Sequence, residues 1–91
     1  MIDAAQIRAA RGLLNIGQAE LARVASVHVA TIRRLEAATQ VRGSAETVWK
    51  IQMALEKAGV EFIPADEHKG PGVRLKERLR PKPKGARRKT A

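Results

Sequence analysis

Residues 18–36 read QAELARVASVHVATIRRLE, and the fold follows from how this stretch divides. Leu21, Val24 and Ala25 recur at helical spacing, Ser26 and Val27 interrupt the pattern, and Ile32 with Leu35 resumes it. The reading is two short helices joined by a tight turn, the second running from about His28 to Ala38. Its apolar residues lie on one side, and Arg33 and Arg34 lie away from them. A helix gripped from beneath that presents guanidinium groups outward meets the physical requirement for reading base edges in a major groove. The plainer reading is an ordinary helical hairpin whose arginines are solvated surface charges.

Outward from this segment the chain stays helical. Asp3 with Gln6 three residues later makes a capping box, and Ile7, Ala10 and Leu14 follow at helical spacing, closing a first helix near Gly12 to Asn15. Gly17 precedes the second helix. Thr39 to Gly43 reads as a loop, and Ser44 as the N-cap of a fourth helix that continues to Ala58 and stops at Gly59. On that helix Val48, Ile51 and Leu55 share one face, while Trp49 and Met53 lie about 100–140° around it, at about 100° per residue. The second face needs a partner, either the next segment or a second subunit. Val60–Ile63 and Gly72–Leu75 read as short strands around the turn signal GPG, with Val60 and Phe62 on one face of the first. A lone two-stranded hairpin is marginal in water, so it is expected to pack on Trp49 and Met53 or to pair across a dimer.

Composition narrows the class. The 91 residues carry one Trp, one Phe and no Tyr, so the core must come from Leu, Ile, Val and Ala, which suits packed helices better than a sandwich. With no cysteine there is neither a disulfide framework nor a thiolate metal site. No run is long enough to span a membrane, and the N-terminus lacks a signal-peptide pattern, so a cytoplasmic location is expected. The net charge of +9 is unevenly placed: residues 1–73 hold nine Lys/Arg against eight Asp/Glu, and residues 74–91 hold nine against Glu77 alone. Nucleic-acid affinity through bulk charge therefore belongs to the tail, and any base preference to the folded part.

The pattern Gln18, Ala19, Glu20, Leu21, Ala22, then Val27, Thr31, Ile32, Leu35 and Glu36, resembles the XRE-type, phage-repressor-like (Cro-like) helix-turn-helix regulators. The resemblance covers about residues 4–58. It implies a mainly α, compact, four-to-five-helix lambda-repressor-like DNA-binding domain, usually dimeric on DNA, with the third helix in the major groove. Position by position it implies that Gln18 bonds a phosphate and buttresses the recognition helix. Val29, Ala30 and Arg34 would face base edges, Thr31 would contact a phosphate, and Arg33 would lie at the groove margin. His28 stands at the recognition-helix cap and could touch phosphate. Arg42 and the amides opening the fourth helix would complete a phosphate clamp, and Arg11 with Glu36 matches a structural ion pair. Gly17 replaces the usual Ser or Thr cap, Ser26 stands where a turn glycine is common, and His28 replaces a more usual Ser.

These observations divide the chain into a helix-turn-helix DNA-binding domain over 1–58, a short strand or hairpin over 59–77 as the candidate dimerisation segment, and a disordered basic tail over 78–91. The candidate dimer residues are Trp49, Met53, Val60, Phe62, Val73 and Leu75. The expected function is a transcriptional regulator, a repressor binding an inverted-repeat operator as a homodimer. Alternatives are an antitoxin that clamps a toxin and autoregulates its operon, or a nonspecific nucleic-acid-binding protein driven by its tail. No nucleophile has a base and orienting partner, and His28 and His68 are forty positions apart without ligand-spaced carboxylates. No enzyme activity, cofactor or metal is therefore expected.

Overall fold

Asp3 starts the first helix in the computed structural model as its spacing requires. Its carboxylate accepts from the Gln6 N–H at 2.8 Å, and the Gln6 side-chain oxygen accepts from the Asp3 N–H at 2.9 Å. The structure describes residues 2–38 and 44–77. In chain order these form α1 (Ala4–Leu14), α2 (Gln18–Ala25), α3 (Val29–Ala37), α4 (Ala45–Lys57), β1 (Val60–Ile63) and β2 (Gly72–Leu75).

The first two helices end in the same way. Asn15 (φ 58°) and Ser26 (φ 60°) both take the left-handed conformation, which turns the chain sharply out of each helix. The Ile16 N–H then donates to the Arg11 carbonyl at 3.1 Å and the Val27 N–H to the Ala22 carbonyl at 3.0 Å, closing each C-terminus with a six-residue loop. Ile16 and Val27 both pack against the core, the apolar contact that accompanies this closure. The tight turn expected at Ser26 and Val27 is therefore formed, with serine bearing the strained angle.

All four helices feed one core. Ile7, Leu21, Ile32, Leu35, Ile51 and Leu55 are wholly or almost wholly buried, one or two from each helix, and Val48 and Val60 join them. One expected core residue is displaced: Val24 is 48 % exposed, and Ala22 is buried with Leu21 and Ala25 instead. The reason is that α2 packs on both α3 and α4, and small residues on its inner side let both neighbours come close.

Gly59 (φ +116°) makes the exit from α4 possible, since a side chain there would be strained. The two strands pair with each other, antiparallel, with Val60 opposite Leu75 and Phe62 opposite Val73. Phe62, Val73 and Leu75 pack on the same core that buries Val60. The hairpin thus lies over α1 and the inner side of α4, pairs within the chain, and does not cover Trp49 (60 % exposed) or Met53 (43 % exposed). Gln6 explains the placement. Its buried amide Nε2 donates to the Gly72 carbonyl at 3.0 Å and the Ile63 carbonyl at 3.4 Å, tying both strands to the start of α1. Asp66 shapes the turn, accepting from the His68 and Lys69 N–H groups at 2.8 and 2.7 Å. Lys76 closes the other end, its N–H donating to the Gly59 carbonyl and its ammonium to the Glu56 carbonyl, both at 2.8 Å.

Candidate nucleic-acid interface

The α3 helix is fixed from behind by a single carboxylate. Glu36, buried near the end of α3, accepts Arg11 Nε at 2.7 Å on one oxygen and Arg11 Nη2 at 2.8 Å on the other, a bidentate fork. Gln18 Nε2 donates to the same carboxylate at 3.0 Å, so α1, α2 and α3 meet at one group. Arg11 also reaches the Ile16 carbonyl at 3.1 Å, bracing the α1–α2 link. Burial alone would push the Glu36 carboxyl upward; the hydrogen bonds from Arg11 and Gln18 and the charges of Arg11 and Arg8 outweigh it and hold it below the usual range. The same hydrogen bond raises the Arg11 guanidinium. The Arg8 guanidinium donates to the backbone carbonyl of Glu36, satisfying an acceptor at the end of α3 that the helix itself cannot.

On α3 the inward side is Ile32 and Leu35, neither exposed at all. The outward side gathers His28, Ala30, Arg33 and Arg34, all exposed, with Val29 and Thr31 half-buried at its margin. Among the described residues no hydrogen bond or ion pair engages Arg33 or Arg34, and both side chains are exposed. The helix is therefore held on one face and open on the other.

Helix starts divide by their caps. Asp3 and Ser44 cap α1 and α4 with side-chain oxygens. Gly17 and His28, at the starts of α2 and α3, make no such bond. The first-turn amides of α2 thus have no side-chain acceptor from their cap, and Gln18 retains a second N–H on the nitrogen that holds Glu36. At α4, Ser44 Oγ already accepts the Thr47 N–H at 3.0 Å, a cap that α2 lacks; both helices carry an acid in the first turn, Glu46 and Glu20. Arg42 lies outside the described residues, as do the 39–43 loop and the 78–91 tail.

The six candidate dimer residues separate. Trp49 and Met53 are open to solvent; Phe62, Val73 and Leu75 are half-buried on the core; Val60 is fully buried and has no surface to offer a partner. Sequence reading missed two contacts, Arg8 to the Glu36 carbonyl and Gln6 to the hairpin. Both join residues at least 28 positions apart, and no local pattern signals them.

A helix-turn-helix family model matches residues 7–62, from Ile7 in α1 to Phe62 in β1. The chain belongs to that family, the XRE and lambda-repressor-like regulators, and it is a DNA-binding regulator. No individual curated protein matches it significantly. No helix of the described residues is long and apolar enough to cross a membrane.

Proposed function

We propose that the protein is a sequence-specific transcriptional repressor that binds an inverted-repeat operator as a homodimer. The observation that carries this reading is α3, wholly buried at Ile32 and Leu35 and open at Arg33 and Arg34. Arg34 is the base reader, able to grip guanine O6 and N7 together, a contact worth ~1–3 kcal/mol of discrimination. Val29 and Ala30 offer thymine methyls an apolar surface, and Arg33 and Thr31 reach the flanking backbone. Gln18 and the uncapped amides of α2 hold a phosphate that registers the helix on the duplex. His28 stands beside that backbone, and Arg42 adds to the phosphate contacts.

One recognition helix covers too few base pairs for useful selectivity, and a twofold pair places two in successive major grooves. The hairpin is the better meeting surface. A two-stranded sheet is marginal alone, and its exposed edges gain by pairing with a second copy, with Ile63 (37 % exposed) and the half-buried Phe62, Val73 and Leu75 alongside. Trp49 and Met53 fit a self-paired interface less well, since Lys50, Lys57 and Lys76 line the same groove and would face their own copies. Occlusion of a promoter by the bound dimer is the mode of repression.

Selection of bound duplexes from random DNA tests the reading. Two half-sites about one helical turn apart are expected, and Arg34→Ala should relax one or two positions in each. A variant that selects the same sequence as the parent removes α3 as the reader.

A further inference from the structure

Between α2 and α4 runs an apolar groove that the DNA-facing side of α3 does not use. Two adjoining depressions share Val24, Ala54 and Lys57 and so form one channel, reaching Leu14 and Ile16 at one end and Trp49 and Met53 at the other. Val24, Met53 and Trp49 are 48, 43 and 60 % exposed, so large apolar side chains of both helices meet solvent along it. Along the channel stand Lys50, Lys76 and the shared Lys57 against one acid, Glu56; the acid beside Leu14 and Ile16, Glu20, faces Arg23 at 3.8 Å. From Trp49 to Ala58 the channel follows α4 for ~14 Å, between two and three helical turns.

We infer that this groove is the docking site for an acidic amphipathic helix carried by another protein. The floor between two helices takes apolar anchors at i, i+3 or i+4 and i+7, the pattern of helix-in-groove recognition. The lysine rim selects carboxylates on the flanks of that helix and speeds encounter with them. A second copy is a poor occupant, because Lys50, Lys57 and Lys76 of one groove would face the same lysines of the other. The groove lies apart from Arg33 and Arg34, so the partner and the duplex can be held together.

Trp49 is the chain's only tryptophan, which makes its emission a direct report of the groove. The full-length protein is titrated with a synthetic acidic helical peptide of about 14 residues bearing leucines at i, i+3, i+4 and i+7. A scrambled peptide of the same composition is the control. A saturable blue shift with the first peptide, weakened by salt and absent with the second, is expected. The charge-reversed double variant Lys50→Glu with Lys57→Glu should weaken binding at least tenfold, and Met53→Glu should do the same, with far-UV circular dichroism confirming that each variant is folded. No saturable shift, or equal shifts with both peptides, overturns the inference. So does emission that is already shifted and follows protein concentration, which would place a second copy in the groove.

Discussion

Glu36 carries more of the site than any other residue, because three helices converge on its carboxylate. Its folded-state pKa is lowered, so its contribution to stability is present above the ordinary glutamate pKa and is lost as the pH falls through the lower, folded value. Thermal melts from pH 7 to pH 2 should therefore fall on the acid side, and Glu36→Gln should flatten that limb. At neutral pH the same variant leaves Arg11 without its counter-charge, and since Arg11 is part exposed the loss should be roughly 2–3 kcal/mol, below that of a fully buried pair. An acid limb equally steep in the variant would assign the sensitivity to other carboxylates. Ser26 works in the opposite direction. Its φ of 60° is a conformation that an L side chain pays about 1 kcal/mol to hold, so Ser26→Gly should stabilise the fold by roughly that amount and raise the melting temperature by ~4–8 °C. A drop in melting temperature would mean that the added freedom of the unfolded glycine chain outweighs the relieved strain.

Local chemistry made the elements legible, and long-range contacts placed them. The capping box of Asp3 and Gln6, the Ser44 cap and the Gly59 exit each depend on residues within a few positions, so all four helices and both strands could be read from spacing. The buried and open sides of α3 were equally legible, because Ile32, Arg33, Arg34 and Leu35 fix them through helical periodicity alone. What spacing does not contain is which neighbour covers which face. Val24 looked like core because α2 was read against one partner, whereas it packs on two. The hairpin looked like the natural cover for Trp49 and Met53, yet a glutamine already assigned to helix capping holds the strands across α1. That double use of Gln6 can be tested at the element it controls. Gln6→Ala removes one side of the capping box and leaves the Ile63 and Gly72 carbonyls without their donor, so a cost of ~1–3 kcal/mol is expected. Hydrogen exchange should accelerate across β1 and β2 more than across α3. Uniform acceleration would show that the glutamine serves the helix start and not the hairpin.

At the scale of the whole molecule, the proposed reading puts charge and specificity in different places. Residues 1–73 are nearly neutral, and the excess positive charge belongs to residues 74–91. Each phosphate neutralised by a lysine or arginine releases counterions, so affinity carried by that segment depends steeply on salt and hardly at all on sequence. In the proposed reading the open face of α3 contributes the reverse, a small number of contacts whose value changes with the base pair. Deleting residues 78–91 removes seven Lys/Arg (Arg78, Arg80, Lys82, Lys84, Arg87, Arg88 and Lys89) while leaving α1 to β2 whole. The truncated protein should bind its operator more weakly, with a shallower slope of log affinity against log salt, and should select the same half-sites from random DNA. Filter binding across a salt series measures the first two, and sequencing of the selected duplexes the third. Selectivity that vanishes with the tail would place base recognition in residues 78–91 and leave α3 only a supporting part.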